Sequence, residues 1–308
     1  MTMNKATRDA YGEALAELAL TNKNIVVLDA DLGKSTKSFD FKKVCPERYF
    51  DMGISEQDMI STAAGLAISG KIPFASTFAI FAAGRAFEQI RNSVAYPNLD
   101  VKIVVTHAGL TVGEDGATHQ AIEDVALMRS IPNVTVICPS DAVETKQVIF
   151  SAARYDGPMY IRLGRLSVPI IHDENYKFEI GKGEVLRRGK DVTIIAMGIM
   201  VSKAIEAAEK LKEEGIEASV INMPTIKPID KELIVEFAKY TNKIVTVEEH
   251  SIIGGLGSAV AEVLSVECPT RMKMIGVEDK FGHSGTPAEL LEHYNLTVEN
   301  IVNVAKSF

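Results

Sequence analysis

The chain has 308 residues, 46% of them hydrophobic, which is enough for two ordinary domains with more than one core. Its 41 acidic against 33 basic residues leave a net charge of −8, with no Lys/Arg cluster and no base-stacking aromatic series, so nucleic acid is not an expected partner. No stretch reaches the run of about 20 apolar residues that a membrane span needs, and the opening MTMNKATRD lacks a signal-peptide apolar core, so the expected compartment is the cytoplasm.

Short β-branched runs alternate with amphipathic helical stretches. That is the pattern of mainly parallel sheets with flanking helices, and the expected fold class is α/β with two domains. In the first half NIVVLD, IPFAST, VKIVVTH, VTVICPS and PMYIRLG read as strands, with SEQDMISTAAGLAI, GRAFEQIRNSVAY and AVETKQVIFSAARY as helices. Together they make a domain over residues 1–166. From 167 to 190 the periodicity lapses into charges, glycines and a proline, as in a linker or a bridging hairpin. Over 191–308 lies a second α/β domain, with strands DVTIIAMG, ASVINM, KIVTVEE and MKMIGVE and the strongly periodic helix MVSKAIEAAEKLKEEG. Cys45, Cys138 and Cys268 are odd in number and far apart, which fits reduced core thiols better than a disulfide framework or a metal knuckle.

Two glycine-rich stretches invite ligand readings. IIGGLGSAV, from Ile252, comes after a strand and opens a helix, but lacks the G-x-G-x-x-G spacing and the acidic residue expected about 20 positions on; a tight strand-to-helix turn is the better account. GEDG offers Glu114 and Asp115 as hard oxygen ligands, yet a magnesium site also needs near-octahedral coordination and generally a phosphate partner, so no metal ligands are assigned to this chain.

Three further places carry chemistry. Ser55 reads as an N-cap with Asp58 three residues on, which puts Glu56 in the first turn of an Ala/Gly-rich helix. Glu56 is then either a surface carboxylate complementing the helix dipole, or a buried group that shares a proton with a ring nitrogen. Phe78 and Phe81 fall just past a strand end, where open α/β sheets place ligands; they are core residues or the stacking face for a flat cofactor. In VGEDGATHQ, Asp115 and His119 lie on the loop after a strand that ends at His107. Polar groups there bind hydroxyls and shuttle protons near neutral pH, or only decorate a turn.

In this order, DADLGKST, GISEQDM, STFAIF, THAGLTVGEDGATHQAIEDVALMRSIPN and RLGR resemble the carboxyl-terminal part of transketolases, over essentially the whole chain. The single words are weak, but GISEQDM succeeded at family-like spacing by GEDGATHQ is specific. The resemblance implies a pyrimidine-binding domain, then a transketolase C-terminal domain, with thiamine diphosphate as cofactor. In the family a preceding domain holds the diphosphate and Mg²⁺ through a GDG motif and an Asn, and these 308 residues do not include it. The implied protein is the C-terminal subunit of a split transketolase, whose N-terminal partner subunit carries the diphosphate-binding domain and holds Mg²⁺, in an assembly with two copies of each subunit.

The resemblance also implies roles. Glu56 is the catalytic glutamate that hydrogen-bonds the aminopyrimidine ring and favours its imino tautomer. Phe78 and Phe81 form the aromatic wall against that ring, where a third aromatic often found three residues on is Gly84 here. Asp115 reads a hydroxyl beside the reacting carbonyl, and His119 is the catalytic histidine near the carbonyl and C1 hydroxyl. Arg8, Ser35, His107 and Arg165 receive the sugar phosphate, with Arg162 as the alternative that RLGR allows. The implied reaction moves a two-carbon ketol unit from a ketose phosphate to an aldose phosphate. Deoxyxylulose-phosphate synthases typically have two adjacent histidines where His119 and Gln120 stand and an arginine at His107, and 2-oxo-acid dehydrogenase β subunits lack the GEDGATHQ form. Those enzymes, a transketolase for unusual sugars and a non-catalytic assembly subunit are the alternatives.

Overall fold

Strands buried on both faces need helices above and below them, and the β-branched runs of this chain obtain both. The computed structural model describes residues 4–308. Its first half contains β1 (Asn4–Ala6), β2 (Ile25–Asp29), β3 (Tyr49–Asp51), β4 (Ile72–Phe78), β5 (Lys102–Thr106), β6 (Thr135–Ile137), β7 (Met159–Arg162) and β8 (Ser167–Pro169). β6, β7, β5, β4, β2 and β3 lie side by side in that order, all parallel. Parallel strands end on the same side, so the loops after β2, β3, β4, β5 and β7 meet along one edge.

The second half contributes β9 (Glu184–Arg187), β10 (Val192–Ala196), β11 (Ala218–Asn222), β12 (Thr225–Lys227), β13 (Lys243–Ser251) and β14 (Arg271–Val277). Five of these form a sheet in the order β14-β13-β10-β11-β9, parallel except for β9. β12 leaves it and pairs antiparallel with β6, extending the first sheet to seven strands. The expected α/β class and two mainly parallel sheets are what the chain forms. One apolar cluster runs through both halves, joining Ile103, Val105 and Val136 to Ile195, Met223, Phe237 and Leu256.

Several local expectations meet a different outcome. The helix Thr7–Thr21 gave little periodic signal, because much of its buried stripe is alanine (Ala10, Ala14, Ala19) around Tyr11, Leu15 and Leu18. GRAFEQIRNSVAY is not one regular helix: the N–H groups of Ala86 and Tyr96 donate to the carbonyls of Phe81 and Arg91, five residues back, on either side of the short helix Phe87–Gln89. Ser55 does not cap the helix Glu56–Ile68 with its side chain; its hydroxyl donates back to Met52 O at 2.6 Å. At IIGGLGSAV the helix N-terminus meets the chain's own acceptor, since the N–H groups of Leu256 and Gly257 donate to the buried Glu248 carboxyl group at 2.7 and 2.8 Å. Cys45 and Cys138 are buried, and all three thiols are free. Among the described residues no helix is long and apolar enough to cross a membrane.

The segment 167–190 carries β8, which pairs with β1, and β9, which joins the second sheet. Between them the chain is clasped by charge. Asp141 caps the helix Ala142–Ala152 by accepting from Glu144 N–H at 2.8 Å, and its other oxygen accepts from the N–H groups of Ile171 and His172. His172 Nδ1 faces that oxygen at 2.9 Å and its Nε2 faces Glu184 on β9 at 2.8 Å. Burial opposes the imidazolium, but the bonds to Asp141 and Glu184 win and push His172 up to about 10. A folded value above the ordinary one of about 6.5 means that the stabilisation is complete below that pH and fades as pH climbs towards the folded value. His172→Gln, leaving Asp141 buried without its partner, is expected to cost about 3 kcal/mol in urea unfolding at pH 7, and to flatten the loss of stability between neutral and alkaline pH that the wild type shows.

Candidate active site

At the carboxyl edge of the first sheet, side chains from four separate segments touch in sequence, and two further segments join them. The helix Glu56–Ile68 begins beyond β3, and its first residue, Glu56, is 1% exposed. A buried carboxylate needs a partner, and Arg85 supplies it: Nη1 donates to Glu56 Oε2 at 2.8 Å from a side chain that is 48% exposed. The Arg85 guanidinium also lies over the Phe81 ring at 4.8 Å. Phe81 stacks on Phe78 at 5.7 Å between centroids, and Phe78 on His107 at 3.8 Å. His107, just past β5 at φ +56°, meets Arg8, and Arg8 Nη1 donates to His107 Nε2 and to Ser35 O, each at 3.1 Å.

The loop after His107 returns to the same place. His119 meets the edge of Phe81 at 5.4 Å. Arg165 donates to Val112 O and pairs with Glu114 at 3.6 Å. Asp115 stands exposed at the tip of this loop, with no hydrogen bond or ion pair among the described residues. Arg162 points elsewhere: it is buried, binds Asp124 at 2.9 Å and donates to the carbonyls of Ala121 and Glu249. Among the described residues no group of three or more His, Cys, Asp and Glu side chains is placed to hold a metal ion.

Two family models match, the transketolase pyrimidine-binding domain over residues 3–170 and the transketolase C-terminal domain over 181–301. The chain belongs to the transketolase family. It is 54% identical to a putative transketolase C-terminal section of Methanocaldococcus jannaschii, over 96% of this chain and 94% of that one. It is 44% identical to a 6-deoxy-6-sulfo-D-fructose transketolase subunit of a Clostridium species, over 97% and 92%. A solved structure described as a split gene transketolase, inactive beta4 tetramer, superimposes with a TM-score of 0.91 at 56% identity, covering 99% of this chain and 98% of that one. Family membership carries with it dependence on thiamine diphosphate.

Within a transketolase frame the residues fit a flat, nitrogen-bearing ring: a dry carboxylate at one end of an offset aromatic pair, open towards solvent through Arg85. The far end is positive. Arg8 Nε is buried and without a hydrogen-bond partner among the described residues, an orphan donor that an anion would satisfy. Burial lowers Arg8, as does the nearby Arg165 charge, with Asp9 opposing. Arg85 was not singled out in the sequence, because nothing in FAAGR distinguishes a surface arginine from one folded back onto Glu56. Glu249 was missed for a related reason, since its partner Thr111 lies 138 residues away.

His107 has an unusual state. Burial first, then the charges of Arg8 and Arg165, drive it down to about 3, so it is neutral at physiological pH. Because Arg8 donates to Nε2, the ring proton sits on Nδ1 and is donated to Thr106 Oγ1 at 2.8 Å. Imidazole ¹⁵N shifts are expected to show the Nδ1-protonated tautomer unchanged from pH 5 to 8, near and above the ordinary midpoint of about 6.5; a midpoint in that range would contradict this arrangement.

Proposed function

We propose that this chain is the C-terminal subunit of a split transketolase that moves a two-carbon ketol unit from a ketose phosphate to an aldose phosphate. Thiamine diphosphate is the cofactor, and Mg²⁺ is held mainly by an N-terminal partner subunit with the diphosphate-binding domain. The observation that carries this reading is the unbroken contact path from Glu56 through Arg85, Phe81, Phe78 and His107 to Arg8. It joins a ring-binding end to an anion-binding end within one site.

When bound, the cofactor supplies the nucleophilic carbon and the electron sink. The Glu56 carboxyl group is placed to hydrogen-bond a ring nitrogen of the pyrimidine, in a place dry enough that water does not compete. Phe78 and Phe81 give that ring a face to stack on. Asp115 and His119, on one loop, bind the hydroxyls beside the reacting carbonyl, and His119 moves a proton there. Arg8 and Arg165 grip the sugar phosphate with charge-assisted bonds, the Ser35 hydroxyl adds a donor, and the neutral His107 and the Ser35 carbonyl orient Arg8. The engagement of Arg162 by Asp124 and by the carbonyls of Ala121 and Glu249 favours Arg165 for this role.

The names of the relatives support a divided enzyme: one is a C-terminal section, one a subunit, and the split-gene tetramer of β subunits is inactive. For this chain we therefore expect self-association without turnover, and a cytoplasmic complex with two copies of each subunit. The relative that acts on a sulfosugar supports a second choice of donor, with the cationic end taking a sulfonate in place of a phosphate.

Purified alone, the chain is expected to turn over no sugar. Co-purified with its N-terminal subunit and given thiamine diphosphate and Mg²⁺, it is expected to transfer a ketol unit from phosphorylated or sulfonated ketoses; full activity of the 308-residue chain alone refutes the split assignment. Glu56→Gln keeps shape but removes the ionisable group. It should lower turnover by about two to four orders of magnitude while sedimentation shows the complex intact. Wild-type rates in that variant would remove Glu56 from the mechanism.

A further inference from the structure

The loop that carries Asp115 and His119 is held from behind by the second domain. Thr111 N–H donates to Glu249 Oε1 at 2.6 Å, and Glu249, on β13, is 4% exposed. Gly109, at φ +79°, packs flat against the same carboxylate, where a Cβ would come within 2.4 Å of Glu249 Cδ. At the far end of the loop Gln120 Nε2 donates across it to Leu110 O at 3.1 Å and out of it to His283 O at 3.0 Å. Midway, Gly116 at φ +75° approaches Ser284 so closely that a Cβ would lie 2.6 Å from its Oγ. Three points along one loop thus rest on the second domain, and two of them need glycine both for its backbone angle and for the space.

From this geometry we infer that Glu249 is a positioning residue of the active site: its carboxylate, delivered from the second domain, sets the backbone of residues 109–120 and so the placement of Asp115 and His119. The inference rests on the sugar-reading role proposed above for that loop. A segment with glycines at 109, 113 and 116 has many backbone states to lose, and a hydrogen bond to a buried acceptor removes them before substrate arrives. Without the anchor, that ordering falls on sugar binding and weakens it. Among the described residues Glu249 makes no hydrogen bond or ion pair with Glu56, Phe78 or Phe81, on which the cofactor end is built.

The test uses the assembled complex of this chain with its N-terminal subunit. Glu249→Ala is expected to speed amide hydrogen exchange in peptides over 109–120 by about tenfold or more, while peptides from the helix Val298–Lys306 keep their rates. It should raise KM for a ketose phosphate by about tenfold or more, with thiamine diphosphate affinity within about twofold of wild type. Glu249→Gln keeps a carbonyl acceptor for Thr111 N–H and should stay within about threefold of wild type in both measurements. If Glu249→Ala fails to assemble, Glu249→Asp, which keeps the carboxyl group but shortens the reach, is expected to reproduce its exchange and KM changes. Unchanged loop exchange in the shortened variant overturns the proposal, as does an equal loss in Glu249→Gln or an equal loss of cofactor affinity. If the wild-type complex transfers no ketol unit, the functional reading falls, and the exchange experiment still decides whether Glu249 anchors the loop.

Discussion

One buried guanidinium joins the parts of this molecule. Arg162, at the end of β7, pairs with Asp124 at 2.9 Å while donating to the carbonyls of Ala121 and Glu249. Both charges are almost wholly removed from water, and the pair is tolerated because Nε and Nη2 of Arg162 both find acceptors. Tyr160 adds a third bond, its hydroxyl donating to Asp124 at 2.8 Å. The acceptors are informative: one ends the loop that carries Asp115 and His119, and the other lies near the end of β13 in the second domain. A single side chain therefore ties the first sheet, the loop and the second domain into one frame.

Around that frame the parallel sheet does the gathering. Residues near 8, 35, 56, 81, 107 and 119 are scattered along the chain, yet they succeed or face strand ends that all point the same way. The shared apolar cluster keeps the second domain pressed against this sheet, and the His172 clasp fixes the connecting segment. Rigid supports of this kind allow the glycine-rich loop to carry polar groups without collapsing onto the core.

Much of this was legible without coordinates. The alternation of β-branched runs and amphipathic stretches is enough for the α/β class, since a strand buried on both faces has few other solutions. Motif order was enough for the family. The fate of Glu56 was not readable, because a glutamate in a first helical turn is equally suited to solvent and to a buried site; burial depends on what Arg85 and Phe81 bring from 25 residues or more away. The choice between Arg162 and Arg165 was open for a similar reason: the two sit three residues apart in RLGR, and only the position of Asp124 engages one of them. Ser55 shows the opposite error, a good capping residue whose hydroxyl turned back to the Met52 carbonyl instead.

By itself, then, the order of residues determined the layers and the family, properties that arise from local periodicity and from words a few residues long. Tertiary structure alone decided which charges are buried, which partners neutralise them and which loop the second domain supports. The physical reason is range. Hydrophobic patterning acts over a turn or a strand, whereas the bonds from Arg8 to His107, from Arg162 to Glu249 and from Thr111 to Glu249 link residues about a hundred positions apart and exist only once the sheets have formed.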